Sequence, residues 1–204
     1  MNIYTVGRAT RGLAAYINET APENKSAVIA YDSRNMSREF AFLAADILSG
    51  AGIKTYVFNT LMPTPVLSFA VRYLKTSAGI VITASHNPKE YNGYKVYNEK
   101  GCQITDEAAK NILSEIENCG YFDEIRSDKS IIEVLDESVL NEFLSTIQKY
   151  SLFDLNGVKT PKIVYTPLNG TGNIPVRSIL KIIGVKDVTV VPEQENPDGN
   201  FPTC

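Results

Sequence analysis

The chain contains few of the residues that build metal centres and disulfide frameworks, and it has no tryptophan. Its single histidine is His86, and its three cysteines are Cys102, Cys119 and Cys204, which form no Cys-x-x-Cys pair. An odd number of unpaired cysteines is typical of free thiols in a reducing compartment. The cysteine pattern therefore argues against a disulfide scaffold and a thiolate metal site, and it predicts a cytoplasmic protein.

The chain also lacks an excess of basic residues and a long apolar run. Its 20 basic and 23 acidic residues give a net charge of −3 and a pI near 5.3, so we expect neither nucleic acid nor an anionic membrane surface as a main partner. No apolar segment is long enough to span a bilayer, and the N-terminus shows no signal-peptide pattern. With 204 residues and 44% hydrophobic content, the chain can form one large domain or two small ones.

Apolar segments of strand character alternate along the chain with segments of helical periodicity. The predicted strands are 27–31, 55–58, 79–82 and 94–97, and the predicted helices contain the apolar stripes within 6–17, 40–47, 66–73, 109–116 and 140–147. This order predicts a mixed, mainly parallel sheet sandwiched by helices, with right-handed crossovers. The strand at 94–97 is predicted to be antiparallel, because its connection is too short for a helical crossover. The polar stretch 123–130 is expected to be a solvated connection.

The strand and helix pattern restarts near residues 154–157. A strand at 162–165 leads into the glycine-rich turn 166–172, a helix ending near Ile183, and a last strand at 188–191. This is one further βαβ unit, and the chain stops before it can complete a sheet. We therefore predict a first domain over residues 1–150 and an incomplete second α/β domain over residues 156–204.

Polar motifs follow each of the first three predicted strands. These motifs are Asp32-Ser33-Arg34, Met62-Pro63-Thr64-Pro65 and Ser85-His86-Asn87. Because the carboxyl ends of parallel strands meet at one edge of a sheet, where open α/β sheets bind ligands, the three motifs are expected to lie together.

The third motif begins a longer polar stretch, Thr-Ala-Ser-His-Asn-Pro-Lys-Glu-Tyr-Asn-Gly-Tyr-Lys at residues 83–95. A hydroxyl, an imidazole, an amide and an amine together suit phosphate chemistry. Ser85 could be an ordinary loop serine, a hydrolase nucleophile or a phosphoryl carrier. The hydrolase alternative is weak, because no Gly-x-Ser-x-Gly turn surrounds Ser85 and an adjacent histidine such as His86 is rarely expected to point its ring at the preceding hydroxyl.

Ser85-His86-Asn87-Pro88, with the residues up to Lys95, closely resembles the phosphoserine loop of the α-D-phosphohexomutases. The resemblance implies that Ser85 is phosphorylated, exchanges its phosphoryl group with a sugar, and is a ligand of Mg²⁺ through that phosphate. It implies that His86 and Asn87 flank the reacting phosphoryl group. Lys95 matches the lysine that acts on the sugar hydroxyl as general acid or base.

Arg34 has two possible roles in this comparison. A guanidinium at the carboxyl end of a strand can organise phosphate-rich loops and bind phosphate, or it can form a structural pair with Asp32, which we slightly favour. The glycine-rich turn 166–172 resembles the first loop of the second domain of this family. Together with 191–194 and 197–203, it points to the branch of phosphoglucomutase-like and phosphopentomutase-like enzymes.

Parts of the family's active site have no counterpart in the sequence. The Asp-Gly-Asp-Gly-Asp-Arg loop that holds magnesium lies downstream in the family's second domain, and no Asp-x-Asp-x-Asp pattern occurs in this chain. The resemblance implies a parent mutase that moves a phosphoryl group between sugar C1 and C6 (C5 in pentoses), through a bisphosphorylated intermediate. It also implies a glucose 1,6-bisphosphate type of activator, and we expect the chain alone to be nearly inactive.

Two alternatives stay open. One is a truncated, non-catalytic protein that binds a sugar phosphate or a partner. The other is a phosphatase-like hydrolase, which the missing base and metal set disfavours. In either case a small sugar phosphate is the expected ligand.

An incomplete second domain leaves apolar residues uncovered. These residues are Val164, Ile179, Ile183, Val188 and Val190. We therefore expect the segment after about residue 155 to be poorly ordered or buried in a homodimer, with the open strand edge at 188–191 as the pairing surface. The Ser85 loop is expected to be more mobile than its flanking strands.

Overall fold

The computed structural model describes residues 1–152 and 158–203. The predicted restart at 154–157 and Cys204 lie outside these described residues. The first unit contains the strands β1 (Ser26–Tyr31), β2 (Lys54–Phe58), β3 (Ala78–Ile82), β4 (Tyr94–Asn98) and β5 (Ile132–Leu135). Its helices are α1 (Ile3–Thr20), α2 (Ser37–Gly50), α3 (Thr64–Tyr73), α4 (Asp106–Glu117) and α5 (Ser138–Lys149), with a 3₁₀ turn at Lys129–Ile131.

The five strands form one sheet in the order β4-β3-β1-β2-β5. β1 is parallel to β2 and to β3, β2 is parallel to β5, and only β4 is antiparallel to its neighbour β3. The predicted mixed, mainly parallel sheet with flanking helices is therefore confirmed, as is the antiparallel direction of β4.

The sheet separates two apolar cores. Ala27 and Ile29 of β1 face the core covered by α1, α2 and α4, whereas Val28 and Ala30 face the core covered by α3 and α5. Successive side chains of a strand point to opposite faces, so a strand buried on both faces is apolar at every position. This burial explains why β1 and β3 were recognisable in the sequence as continuous apolar runs.

Polar side chains cap the first turns of α1 and α4. Asn2 caps α1 by accepting hydrogen bonds from the backbone N–H groups of Tyr4 and Thr5, and the Thr5 hydroxyl accepts one from the Asn2 N–H in return. Thr105 caps α4 in a similar way. α3 begins after Pro63, and Pro65 lies in its first turn, where a missing N–H has no cost.

Strand β5 was not predicted from the sequence. It is a short edge strand whose middle residues, Glu133 and Val134, are exposed, so it has neither a continuous apolar run nor a clear alternation. Its position comes from the parallel hydrogen-bond ladder to β2, in which Thr55 is paired with Ile132. An ion pair of 3.4 Å between Lys54 and Glu133 links the same two strands. Tertiary pairing therefore determines this strand more than its own residues do.

The second unit consists of β6 (Ile163–Tyr165), α6 (Asn173–Ile182), β7 (Val188–Val190) and α7 (Pro192–Glu195). β6 and β7 form a parallel two-stranded sheet, as predicted for a βαβ unit. Val164 is 71% exposed, which agrees with the expectation that it lacks cover. Ile179 was expected to lack cover as well, but that prediction was wrong, because Ile179 packs against the core beneath α3 and α5.

No helix within 1–152 and 158–203 has both the length and the apolar character needed to cross a membrane.

Candidate active site

The Ser85 loop connects β3 to β4 and is closed at its base by the backbone. The Thr83 N–H donates to the Gly93 carbonyl oxygen at 2.9 Å. Within the loop, the Ser85 N–H donates to the Thr83 hydroxyl at 3.0 Å, and the Asn87 N–H donates to the Ala84 carbonyl at 3.1 Å. Residues 85–91 are exposed, so the loop presents their side chains to solvent above its hydrogen-bonded base.

Ser85 itself has a left-handed backbone conformation, with φ of 59°. Residues other than glycine rarely adopt this conformation, and where they do the surroundings usually impose it. Lys75 has the same backbone conformation in the turn after α3, so the conformation alone does not assign a role to Ser85. It becomes informative together with the cleft that Ser85 lines.

The base of the loop requires a glycine at position 93. A Cβ atom on Gly93 would lie 2.4 Å from the Thr83 carbonyl oxygen, which is well inside van der Waals contact. The two ends of the loop can approach each other only because this side chain is missing.

Arg34 follows β1 and holds the Ser85 loop by its backbone. Its Nη1 donates to the carbonyl oxygens of Pro88 at 2.8 Å and Tyr91 at 2.9 Å. Its Nη2 donates to the carbonyl oxygens of Ser85 at 2.9 Å and Asn87 at 2.6 Å. The side chain is buried, so these hydrogen bonds are shielded from water and determine the path of the loop.

Asp32 balances the charge of Arg34. The Arg34 Nε lies 3.2 Å from Asp32 Oδ2, an ion pair without hydrogen-bond alignment, and Asp32 Oδ1 accepts from the Arg34 N–H and the Ser37 hydroxyl. The Asn92 amide in turn donates to the Ser37 hydroxyl at 2.8 Å. The geometry thus supports the structural pair and the loop-organising role together. The four Nη hydrogens are donated to loop carbonyls, and the buried Nε–H next to Asp32 has no hydrogen-bond partner, so a direct phosphate contact from Arg34 remains a prediction.

Ser85 and His86 are closer than the sequence suggested. The Ser85 hydroxyl oxygen lies 3.3 Å from His86 Nδ1, so the expectation that an adjacent imidazole would point away was wrong. The left-handed backbone at Ser85 explains the contact, because it turns the two neighbouring side chains to the same side. Within the described residues, no carboxylate or carbonyl orients the other ring nitrogen of His86, so the third member of a hydrolytic triad is missing there.

Lys95 lies near the start of β4, beside the end of the Ser85 loop. It is opposite Val81, and directly opposed residues point to the same face of a sheet. Its side chain is half-buried, and in the part of the chain that the structure describes no acidic group pairs with it. Arg34, Ser85, His86 and Asn87 line one cleft, and Lys95 is not among the lining residues of that cleft.

Tyr94 fixes the start of β4, next to Lys95. Its hydroxyl lies 3.1 Å from the Thr10 hydroxyl, whose own proton is donated to the Val6 carbonyl at 2.8 Å, so Tyr94 is the donor to Thr10. Burial raises the pKa of the Tyr94 phenol well above its usual value. The hydrogen bond from the neutral Tyr94 phenol to Thr10 therefore links the start of β4 to α1.

A cleft of about 940 Å³ separates the Ser85 loop from the second unit. Its walls are residues 85–90 on one side and residues 167–168, 170–172 and 200–202 on the other, with Arg34 at the base. Clefts of this size are typical of sites for small ligands. Sequence reasoning assigned no role to Lys89 or Phe201, which also line the cleft, although both lay within motifs that resembled the family.

Asn169 organises the second wall of the cleft. It is buried, and its amide nitrogen donates to the carbonyl oxygens of Glu193 at 3.2 Å and Asn196 at 2.9 Å. Its amide oxygen accepts from the Thr203 hydroxyl at 2.9 Å. These bonds join the glycine-rich turn before α6 to the segment after α7, so one asparagine sets the geometry of that wall.

The residues of the site do not by themselves fit a magnesium ion. Mg²⁺ requires near-octahedral oxygen coordination, usually with carboxylates. Within 1–152 and 158–203, no three or more histidine, cysteine, aspartate or glutamate side chains lie together as ligands. The Ser85 loop offers the Glu90 carboxylate and the Asn87 amide oxygen to the cleft, but the described residues place no group of three or more such ligand side chains together.

Two family models match the chain. The model described as phosphoglucomutase/phosphomannomutase, alpha/beta/alpha domain I, matches residues 1–121, and the corresponding model of domain II matches residues 141–204.

Curated proteins with mutase names resemble the chain over nearly its whole length. The phosphoglucomutase of Staphylococcus haemolyticus is 39% identical over 211 residues, which cover 98% of this chain and 37% of that protein. The probable phosphoribomutase of Schizosaccharomyces pombe is 39% identical over 216 residues, covering 100% and 36%. The probable phosphomannomutase of Haemophilus influenzae is 39% identical over 212 residues, covering 100% and 42%. The chain therefore spans about two fifths of the length of these relatives.

Solved structures share the fold. A phosphomannomutase-like protein from Thermus thermophilus superposes with a TM-score of 0.86 at 26% identity, over 98% of this chain and 44% of that one. A phosphoglucomutase/phosphomannomutase family protein from Burkholderia thailandensis superposes with a TM-score of 0.77 at 23% identity, over 100% and 42%.

Proposed function

Because the chain belongs to the phosphoglucomutase/phosphomannomutase family of α-D-phosphohexomutases, we propose that Ser85 is the phosphoryl carrier of a phosphosugar mutase. The substrate is a sugar phosphate, and the phosphoryl group moves between C1 and C6 of a hexose, or C5 of a pentose. The relatives that carry mutase names are longer, and the chain spans about two fifths of their length, so we expect the chain alone to turn over slowly or not at all.

The observation that carries the proposal is the conformation of Ser85. Its left-handed backbone and the Arg34 hydrogen bond to its carbonyl present the hydroxyl at the mouth of a cleft of about 940 Å³. The fixed backbone leaves the oxygen free to accept and release a phosphoryl group without reorganising the loop. Positioning of this kind is a large part of phosphoryl-transfer catalysis.

The transfer can be written with this chain's own residues. A sugar hydroxyl oxygen forms a bond to the phosphorus of phosphoserine 85, and the bond from that phosphorus to the serine oxygen breaks. The proton of the sugar hydroxyl passes to a base, for which Lys95 in its neutral form is the candidate, and the departing serine oxygen takes up a proton. The bisphosphorylated sugar then turns over in the site. The Ser85 oxygen attacks the other phosphoryl group, the bond from that phosphorus to its sugar oxygen breaks, and the serine proton ends on the sugar oxygen.

The side chains next to Ser85 have defined places in this scheme. His86, whose Nδ1 is 3.3 Å from the serine oxygen, and Asn87 flank the phosphoryl group and donate hydrogen bonds to its oxygens. Magnesium would supply charge neutralisation in such transfers, and the described residues contain no group of three or more histidine, cysteine or carboxylate side chains to hold it.

The test uses purified protein incubated with Mg²⁺ and glucose 1,6-bisphosphate, followed by phosphopeptide mapping. We expect the phosphoryl group on Ser85 in the wild-type chain and in the control Ser114→Ala, which changes an exposed serine of α4, but not in Ser85→Ala. Conversion of glucose 1-phosphate to glucose 6-phosphate is measured in the same samples. A phosphoryl group found on another residue of the wild-type chain, or mutase turnover in Ser85→Ala equal to that of the wild type, would refute the proposal.

A non-catalytic sugar-phosphate-binding protein is the second candidate. The observation that favours it is the lack of a cluster of metal ligands in 1–152 and 158–203. Calorimetric titration with glucose 1-phosphate and with glucose 1,6-bisphosphate separates the two candidates. Binding of either ligand without any phosphorylation of Ser85 would support this second function.

A further inference from the structure

The segment Gly199–Phe201 of the second unit lies against the turn that carries Arg34. The Phe201 ring centroid is 5.3 Å from Arg34 Cζ, in cation–π geometry. Next to it, the Asn35 amide nitrogen lies 3.4 Å from the Asn200 amide oxygen. Asn35 and Asn200 are 165 positions apart in the sequence, so the segment reaches back to the base of the Ser85 loop.

Gly199 permits this close approach. A Cβ atom at this position would lie 2.7 Å from the backbone nitrogen of Asn35 and 2.5 Å from its amide oxygen. Any side chain at position 199 must therefore push the segment away from Arg34.

The backbone of the segment is strained at Phe201, which has φ of 45°. Such a conformation is unusual for a large side chain and persists only where neighbouring contacts impose it. Here the Phe201 N–H donates to the Asp198 carbonyl at 3.1 Å, and the Asp198 N–H donates to the Asn169 carbonyl at 3.2 Å. Through these two hydrogen bonds, Asn169 and Asp198 hold the segment in the conformation that turns the Phe201 ring towards Arg34.

We propose that Phe201 is a positioning residue for the Ser85 loop and acts through Arg34. The ring covers the guanidinium and keeps it out of water. A desolvated guanidinium holds its four carbonyl acceptors more strongly than a hydrated one. The second unit therefore stabilises the conformation of Ser85 without contacting it, and this coupling does not depend on whether Ser85 is phosphorylated.

The variants that test this proposal distinguish an effect of the aromatic ring from an effect of side-chain volume. Phe201→Tyr keeps a ring over Arg34, Phe201→Leu keeps an apolar side chain without a ring, and Phe201→Ala removes both. The matched control is Phe122→Ala, which changes a phenylalanine that is 85% exposed and contacts Tyr4 instead.

Hydrogen–deuterium exchange is then measured by mass spectrometry on the whole 204-residue chain. We expect amide exchange in the peptide covering residues 85–91 to rise roughly five- to tenfold in Phe201→Ala and Phe201→Leu, the range that a lost, partly desolvated cation–π contact implies. We expect wild-type exchange in Phe201→Tyr and Phe122→Ala. Peptides from β1 and β3 should exchange at wild-type rates in all four variants.

A second measurement isolates the contact itself. The side-chain N–H resonances of Arg34 should carry a ring-current shift that is lost in Phe201→Ala and Phe201→Leu and retained in Phe201→Tyr. Gly199→Ala, which leaves the ring chemically intact but pushes the segment away, should also lose the shift and raise exchange in residues 85–91. Unchanged loop exchange in Phe201→Ala, or equal effects of the Leu and Tyr variants, would overturn the proposal.

Discussion

The Nη2 atom of Arg34 lies 2.9 Å from the backbone carbonyl oxygen of Ser85, although the two residues are 51 positions apart in the sequence. The pairing of β1 with β3 brings them together, because Tyr31 at the end of β1 is opposite Ile82 at the end of β3. The position of the proposed phosphoryl carrier therefore depends on a side chain supplied by a neighbouring strand, and not on the sequence of its own loop alone.

Replacing Arg34 by lysine should destabilise the protein even though the charge is kept. A single ammonium group cannot satisfy the four carbonyl oxygens that the guanidinium now holds, and buried acceptors without partners are costly. We expect Arg34→Lys to lower the free energy of unfolding by about 3 kcal/mol in urea denaturation. We also expect faster amide exchange in residues 85–91.

Arg126→Lys is the matched control for this change, because the Arg126 side chain is 79% exposed. Its effect on the free energy of unfolding should stay within about 0.5 kcal/mol. An equal, small effect of both substitutions would show that the hydrogen bonds from Arg34 contribute little to the stability of the loop.

Gly93→Ala should destabilise the protein, because the new methyl group would meet the Thr83 carbonyl oxygen at the closed base of the Ser85 loop. We expect a loss of about 1–3 kcal/mol, the usual range for a steric clash that the backbone must relieve. Gly7→Ala in α1 is the comparison, because its Cβ has only ordinary contacts and alanine is a better helix former than glycine. That substitution should stabilise the chain by about 0.5–1 kcal/mol in the same denaturation experiment.

The free energy of unfolding should fall at alkaline pH, because buried tyrosines of the native state have raised pKa values. Burial raises the pKa of Tyr94 and of Tyr31, so between about pH 10, the unfolded value, and the folded pKa the native state binds more protons than the unfolded state. The contribution of these groups is therefore fully present below about pH 10 and is lost as the pH rises further. Tyr94→Phe should make the alkaline decline in the free energy of unfolding shallower.

The control for this pH effect is Tyr150→Phe, which changes a tyrosine that is 79% exposed. It should leave the pH dependence unchanged. If Tyr94→Phe declined as steeply as the wild type above pH 10, the buried hydroxyl of Tyr94 would not be the group responsible.

The sequence predicted the parts of the fold that depend on burial and periodicity. Strand β1 from Ala27 onward and strand β3 form continuous apolar runs because both faces are covered, and the antiparallel turn into β4 followed from a short connection. Edge strand β5 was missed, because exposed residues such as Glu133 leave no periodic pattern. A strand of this kind becomes visible only when its pairing partner is known.

For the candidate site, the resemblance selected Ser85, His86, Asn87, Arg34 and Lys95. The first four line one cleft, and Lys95 is not among its lining residues. The carbonyl acceptors of Arg34 could not be predicted, because backbone groups are the same at every residue and only the fold decides which ones converge. The contact of Phe201 with Arg34 was missed for a related reason, since it depends on how the second unit packs against the first.

Self-association through the second unit remains a prediction that its exposed apolar surface supports. Val164 is largely exposed in β6, and Ile174 and Ile182 are exposed on α6, so the unit presents apolar side chains and open strand edges to solvent. We expect sedimentation velocity to show a concentration-dependent dimer of the chain. Val164→Lys should weaken this dimer at least tenfold, because pairing would bury an unpartnered ammonium. Leu113→Lys, at an exposed position of α4, should leave it unchanged. A chain that stays monomeric at every concentration would contradict this prediction. It would show that the second unit is stable with its apolar side chains exposed to solvent.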